Sequence, residues 1–182
     1  MIRIALSILL TVTVPAYAPP PKAAPPVDTS KPNTNAVLKA HKDKVVASAS
    51  TEYQQWPASK LIDGDEETSW FSQTGDTATA KGNTPWVKLA FPADVTVKRV
   101  TILGNREPNY PAGYSVLAGK LELVDGNGKV LESKELKAAG EKFDFDFVIS
   151  ATGVRAIKFT VTDDQGNKNG SQDCALAEVQ VE

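Results

Sequence analysis

A short acidic stretch carries the residues whose types and spacing are most suited to chemistry. It places Asp63, Asp65 and Thr68 around Gly64. Carboxylate, hydroxyl and carbonyl oxygens at such short spacing suit a hard cation such as Ca²⁺. The stretch is not an EF-hand, because that loop needs Gly and Glu where Thr68 and Thr74 stand here. The residues alone leave two interpretations open, a cation site or a solvated turn in which Gly64 permits the bend.

Nucleophilic catalysis finds little support in the sequence. The chain has one His and one Cys in 182 residues. His41 lies in a Lys-rich stretch without a Ser or Cys nucleophile motif, as is typical of a solvated linker residue. The carboxylates fall in turns or on solvent faces, where nothing apolar would raise a pKa. We therefore predict that the protein is not an enzyme and has no catalytic residues.

The single Cys and the overall composition exclude further classes of protein. One Cys rules out an internal disulfide framework and a Cys-based zinc site. Cys174 is then either a small buried residue at the start of the last strand or one half of an intermolecular disulfide. A net charge of −2 provides no basic face for nucleic acid, while 41% hydrophobic residues allow a packed core.

The first 18 residues are typical of an export signal. Arg3 is their only charged residue, and an apolar run over residues 4–14 precedes the small residues Ala16 and Ala18. This run is too short to cross a bilayer as a helix. Cleavage after Ala16 and cleavage after Ala18 both fit. We expect an exported protein, periplasmic, on the cell surface or extracellular, with no transmembrane segment in the mature chain.

The proline distribution divides the rest of the chain. Six of the 12 Pro residues fall between residues 19 and 32. A Pro-rich segment is extended and has little to bury, so residues 19–44 are predicted to form a linker. From residue 45 onward apolar and polar residues alternate between closely spaced turn signals, which indicates strands. Residues 45–182 are therefore predicted to form the folded domain.

The alternation predicts an all-β fold. Eight short strands with alternating faces favour an eight-stranded antiparallel β-sandwich. In the last strand Leu176 is out of phase with Val179 and Val181. This break predicts a bulge near Ala177 and Glu178, which would turn the Glu178 side chain. The eight predicted strands cover residues 45–50, 86–91, 95–103, 120–124, 129–136, 142–149, 154–162 and 176–181.

Several ordered segments resemble the discoidin superfamily, which includes the coagulation factor type C domains and the family 32 carbohydrate-binding modules. The first is ASKLIDGD at residues 58–65, followed by Thr68 and Trp70. WVKL at 86–89, VKRVTI at 97–102 and LAEVQV at 176–181 follow in the family's order. The resemblance spans residues 45–182 and is nearest to the family 32 modules. It implies a jelly-roll β-sandwich of the galactose-binding-domain-like type.

The resemblance also implies a structural Ca²⁺ where the acidic loop meets the last strand. Lys60 and Ala177 would contribute backbone carbonyls, and the other ligands would contribute side-chain or carbonyl oxygens. Such an ion ties a loop to a strand, so its binding energy becomes folding energy. The implied metal ligands are Lys60, Asp63, Asp65, Thr68, Ala177 and Glu178.

A ligand site in the loops is implied in the same way. Two positions depart from the galactose-binding members, because Phe71 stands where a His is common and Gly113 where an Asn is expected. The expected function is a non-catalytic carbohydrate-binding module whose partner is a glycan or another cell-envelope component. The alternative is an envelope adhesion or scaffold protein that binds another protein. The implied ligand-binding residues are Trp56, Asn105, Arg106, Asn109 and Tyr110.

Overall fold

The structure, a computed structural model, describes residues 28–182 and consists mostly of antiparallel strands. The predicted signal (residues 1–18) and the first part of the predicted linker (residues 19–27) lie outside the described residues. No helix within residues 28–182 is long and apolar enough to cross a membrane. The elements in chain order are α1 (Ala36–Ala40), β1 (Val46–Ala49), the 3₁₀ turn Ala58–Ile62, β2 (Trp70–Phe71), α2 (Ala78–Lys81), β3 (Trp86–Gly104), β4 (Val116–Val124), β5 (Val130–Lys137), β6 (Phe145–Asp164), the 3₁₀ turn Gly166–Lys168 and β7 (Ala175–Val181).

Two long strands organise the sheet. The strand order is β2-β7-β3-β6-β4-β5, and β1 pairs with β3. The β3–β6 pairing runs in two stretches, with register shifts between Ala90 and Val95 and again near Val97. Pro92 lies in the first break, where it has no N–H to offer to a ladder. Because β3 and β6 bend at these breaks, one continuous sheet folds over itself into the predicted antiparallel β-sandwich.

The strand count follows from those bends. Four of the eight predicted strands are the two halves of β3 and of β6, and the short strand β2 was not predicted. The remaining predicted strands correspond to β1, β4, β5 and β7. Phe143 is a further correction, because its positive φ of 58° places it in the turn before β6 rather than on the strand. Within the predicted strand 142–149, Phe145, Phe147 and Ile149 alternate with exposed residues and share the buried face.

The core is centred on aromatic rings from β6. Phe145 packs on Phe147 at 5.9 Å and on Phe159 at 5.1 Å between ring centroids. Gly119 of β4 makes room for the Phe159 ring, since a Cβ there would lie 2.1 Å from Phe159 Cζ. Strand β5 is the last strand in the sheet order and forms one edge of the sheet. Its side chains are mostly exposed, including that of Glu132.

The predicted bulge in the last strand is confirmed. Val179 pairs with Ile102 and Leu176 pairs with Gly104, so three residue steps along β7 oppose two along β3. The extra residue falls at Ala177 and Glu178, which are both buried. The bulge brings the Glu178 side chain beside Asp63 and Gly64 of the acidic loop.

The last part of the predicted linker instead packs on the domain. We call residues 28–44 the N-terminal arm. Its Asn33 Nδ2 donates to the Gln180 carbonyl at 3.2 Å, and its Asn35 Oδ1 accepts from the Val181 N–H at 2.9 Å. Leu38 is only 6% exposed and belongs to the core. The linker prediction is wrong for residues 28–44. Their contacts with the domain depend on one buried Leu and two Asn side chains, and so few residues produce no strand or helix periodicity in the sequence.

Replacing Leu38 tests whether the arm is part of the folded domain. We expect Leu38→Ala to lower the free energy of unfolding by about 2–4 kcal/mol, since it removes a buried side chain and leaves a cavity. Urea denaturation of the mature chain measures the change. Lys42→Ala, which alters an exposed residue of the same arm, is expected to leave stability unchanged. Equal stabilities of Leu38→Ala and the wild type would show that the arm does not contribute to the fold.

Candidate functional site

A concave pocket of about 220 Å³ lies where three loops meet. The loops precede the 3₁₀ turn Ala58–Ile62, connect β3 to β4, and lead into β7. Five of the lining residues are aromatic, one is a hydroxyl residue and one is acidic, and none is basic. We call this cavity the aromatic pocket; it is lined by Tyr53, Trp56, Phe71, Tyr110, Tyr114, Ser171 and Asp173.

The rings of the aromatic pocket brace one another. Trp56 packs against Phe71 and against Tyr110 at 5.3 Å between centroids in both pairs. Phe71 also meets Tyr114 at 5.4 Å, and Tyr110 meets Tyr114 at 5.8 Å, in edge-to-face arrangements. Such pairs are favourable beyond the area that they bury. The pocket therefore has walls that are formed before any ligand arrives.

Backbone hydrogen bonds fix the loop that presents Trp56. The Trp56 carbonyl accepts from the Phe71 N–H at 3.2 Å, which ties this loop to β2. The Glu52 carboxylate accepts from the Ala58 N–H at 2.7 Å, at the start of the 3₁₀ turn. The Tyr53 hydroxyl is hydrogen-bonded to the Thr74 hydroxyl. These contacts hold the apolar face of the pocket to the sheet.

Asp173 is the one charged residue of the pocket lining. It is 3% exposed, and its Oδ1 has no hydrogen-bond partner among residues 28–182. The Asn169 side chain fixes its backbone, donating to the Asp173 carbonyl at 2.9 Å and to the Gly113 carbonyl at 2.6 Å. The preceding Gln172 has a positive φ of 55°. Burial raises the pKa of the Asp173 carboxyl to about 6.

Two of the five predicted ligand residues, Trp56 and Tyr110, line the pocket. Arg106 does not, and its predicted role as a sugar-binding donor is corrected. Its Nη2 donates to both carboxylate oxygens of Asp144 at 2.9 Å, and its Nη1 donates to the Gly104 carbonyl at 3.3 Å. The side chain is 14% exposed. Arg106 is therefore a structural residue that ties the β3–β4 loop to the start of β6.

The two predicted asparagines also act within their loop. Asn105 Nδ2 donates to the Tyr110 carbonyl at 2.6 Å, and Asn109 Nδ2 donates to Glu107 Oε1 at 3.2 Å. Neither residue lines the aromatic pocket. Asn105 instead folds the loop that presents Tyr110. Sequence reasoning missed Phe71, Tyr114, Ser171 and Asp173, although the position of Phe71 directly after the motif Trp was a usable signal.

The acidic loop holds itself together through its own side chains. Asp63 Oδ2 accepts from the Thr68 hydroxyl at 2.9 Å and lies 3.3 Å from Lys60 Nζ. Asp63 Oδ1 accepts from the Asp65 N–H at 2.9 Å. No three Asp, Glu, His or Cys side chains converge on one point within residues 28–182. A cation here would therefore need backbone carbonyls and the Thr68 hydroxyl as well as carboxylates.

Glu178 supplies the second half of this candidate cation site. It is 3% exposed, and its Oε2 has no hydrogen-bond partner within the part of the chain described. Burial, and then the nearby Asp63 carboxylate, raises the pKa of Glu178 to about 8. A buried carboxylate oxygen without a partner, next to a negative loop, is unfavourable unless the group takes up a proton or a cation joins it. The residues present therefore fit the implied Ca²⁺.

Cys174 lies between the two candidate sites along the chain and belongs to neither. Its thiol is free and fully buried, and its Sγ lies 3.7 Å from the Ser72 hydroxyl. Burial raises the pKa of the thiol well above its ordinary range. A thiol in this position packs as a small apolar residue. It has no access to a second chain in the folded domain.

A β-sandwich whose loops shape a small pocket is the architecture of the galactose-binding-like class, and the family comparison agrees with it. The sequence profile of the F5/8 type C domain matches residues 46–178. The chain belongs to this family, and the predicted resemblance to the discoidin superfamily is confirmed. No curated protein matches the chain.

Solved structures of the same fold include carbohydrate-binding modules and lectin domains. The family 32 module of Clostridium perfringens NanJ, in complex with galactose, has a TM-score of 0.62 at 19% identity, over 78% of this chain and 95% of that chain. CpGH89CBM32-5 from Clostridium perfringens, in complex with GalNAc-β-1,3-galactose, has a TM-score of 0.61 at 15% identity, over 78% of this chain and 96% of that chain. The lectin domain of Lectinolysin, complexed with Lewis B antigen, has a TM-score of 0.59 at 15% identity, over 75% of this chain and 91% of that chain. The predicted fold class is thereby confirmed.

The raised pKa of Asp173 makes a prediction about stability. Between the ordinary pKa of 3.8 and about 6, the folded state keeps a proton that the unfolded state has lost. Stability therefore falls as the pH rises through this window, by roughly 3 kcal/mol if the whole difference is expressed. Asp173→Asn removes this loss, so its stability relative to the wild type is expected to increase from pH 4 to pH 7.

Chemical denaturation of both proteins at several pH values measures this difference. Asp43→Asn, which changes an exposed carboxylate of the N-terminal arm, is the matched control and is expected to show no such trend. A constant stability difference between Asp173→Asn and the wild type from pH 4 to pH 7 would contradict the assignment of a buried, unpartnered carboxylate.

Proposed function

We propose that the protein is an exported, non-catalytic carbohydrate-binding module that contains a structural Ca²⁺. The observation that carries the proposal is the aromatic pocket, because five preformed rings beside polar groups are what a sugar ring needs. The family and the solved neighbours support it. Their names record binding of galactose, of Lewis B antigen and of GalNAc-β-1,3-galactose.

The pocket provides both kinds of contact that recognise a sugar. The apolar C–H face of a pyranose packs on an aromatic ring, and Trp56 is half-buried at the pocket wall. Hydroxyl groups of the sugar then find hydrogen-bond partners in Ser171, Asp173 and the tyrosine hydroxyls of the lining. The small volume of about 220 Å³ fits one terminal residue of a glycan rather than a long internal stretch.

The proposed Ca²⁺ has a structural role. Asp63 and Glu178 would contribute carboxylates, Asp65 and Thr68 further oxygens, and Lys60 and Ala177 their carbonyls. When bound, the ion would offset the negative charge of the acidic loop and replace the proton that burial favours on Glu178. It would thereby join residues 60–68 to β7, which also leads directly from the Asp173 loop of the aromatic pocket. We assign it no contact with the glycan.

Glycan-array binding of the mature protein tests the carbohydrate function. We expect Trp56→Ala to lower binding at least tenfold, because the aromatic platform of the pocket is lost. Trp86→Ala is the matched control, since Trp86 is also half-buried but does not line the pocket, and it is expected to keep binding. Absence of any array signal, together with co-purification of one envelope protein, would favour the adhesion alternative instead.

Thermal melting in Ca²⁺ and in EDTA tests the metal site. Saturating Ca²⁺ is expected to raise the Tm of the wild type by roughly 5–10 °C, because the ion binds the folded state alone. Glu178→Gln is expected to melt at the same temperature in both buffers. Glu67→Gln, which alters an exposed residue of the same loop, should retain the full shift. A wild type with one Tm in both buffers would disprove the site.

A further inference from the structure

The charge of the aromatic pocket is not balanced by its own walls. Asp173 is the one carboxylic acid in the lining, and no Lys or Arg lines the cavity. Arg106, the basic residue that the sequence predicted for the ligand site, is instead hydrogen-bonded to both carboxylate oxygens of Asp144 at 2.9 Å. Asp173 Oδ1 is buried and lacks a hydrogen-bond partner within residues 28–182. A pocket of this kind is incomplete until a group from outside meets the carboxylate.

The surrounding groups make a cation the most favourable occupant. The faces of Trp and Tyr rings attract ammonium groups, and five rings line this cavity. A charged donor to a carboxylate forms a stronger hydrogen bond than a neutral hydroxyl does. Both effects are largest where water is excluded, as it is around Asp173. The aromatic rings and the Asp173 carboxylate therefore both favour an ammonium group.

The groups that face Asp173 leave its negative charge in place. Burial, followed by the Asp173 charge, raises the pKa of the Tyr114 hydroxyl, so this hydroxyl stays neutral. The Cys174 thiol is held neutral by burial in the same way. Asn169 contacts the backbone of Asp173 rather than its carboxylate. None of these neighbours supplies a positive charge to the Asp173 carboxylate.

We propose that the aromatic pocket selects an amino sugar with a free ammonium group, which pairs with Asp173 while the sugar ring packs on the aromatic wall. This inference rests on the proposed carbohydrate-binding function and narrows it to a cationic glycan. It differs from the neutral galactose and GalNAc-β-1,3-galactose named for two of the solved neighbours, and it agrees in chemical class with the ligand named for another, the chitosan-binding module 1 of a Paenibacillus chitosanase/glucanase. Trp56 supplies affinity for any sugar, and Asp173 supplies the preference for the amine.

Three matched disaccharides separate these contributions in calorimetric titrations of the mature protein at about pH 6.5, where the amino-sugar ammonium and the Asp173 carboxylate are both mostly charged. They are the β-1,4-linked dimer of glucosamine, its N-acetylated counterpart and cellobiose, which place an ammonium, an amide or a hydroxyl at the same carbon. We expect the glucosamine dimer to bind at least tenfold more tightly than either neutral dimer. Choline serves as an ammonium probe without a sugar ring and is expected to bind at least tenfold more weakly than the glucosamine dimer.

Variants assign the preference to the pocket. Asp173→Asn is expected to bring the three dimers within about twofold of one another, whereas Trp56→Ala weakens all three. Asp43→Asn removes the same unit of charge from the exposed N-terminal arm and is expected to keep the preference. The comparison of the three dimers on the wild type needs no variant, so it stands even if Asp173→Asn does not fold.

The outcomes distinguish this inference from the function on which it rests. Trp56-dependent binding of neutral glycans with no advantage for the glucosamine dimer would overturn the inference and leave the carbohydrate function standing. A preference for the amine that persists in Asp173→Asn would also overturn it. Choline binding as tight as that of the glucosamine dimer would overturn the assignment of the ligand as a sugar. No Trp56-dependent binding of any glycan would overturn the carbohydrate function itself.

Discussion

The burial of strand β7 is the constraint on which both candidate sites depend. The strand lies between β2 and β3, and every residue from Ala175 to Val179 is buried. Residues just before the strand and in its bulge are therefore removed from water, whether they are apolar or charged. Asp173 and Glu178 are the two carboxylates caught in this way, each with one oxygen that lacks a partner within residues 28–182. Both raised pKa values have the same first cause, which is desolvation.

The sequence predicts well those parts of the fold that depend on residues close together along the chain. Alternation along β6 marks Phe145 and Phe147 as core, and one out-of-phase residue, Leu176, reveals the bulge of β7. The acidic loop is equally visible, because its oxygens and its glycine lie within a few positions of one another. The bending of β3 and β6 is less visible, since a register break does not alter which residues are apolar.

The parts that the sequence does not predict depend on partners far along the chain. Arg106 is predicted to be a ligand donor, but in the folded domain its Nη2 donates to both carboxylate oxygens of Asp144, 38 residues away. Nothing in the polar loop around Asp173 marks it as a site residue, because the aromatic rings beside it come from two other loops and from β2. The N-terminal arm is held by Asn33 and Asn35, whose partners in β7 lie more than 140 residues away. No spacing rule connects such pairs.

The edge strand β5 has a consequence for how many copies of the domain can share a surface. Its exposed side chains include Glu132, Lys134, Glu135 and Lys137. A second chain that approached this edge to extend the sheet would have to strip water from charges of both signs. The edge thus resists polymerisation by strand addition.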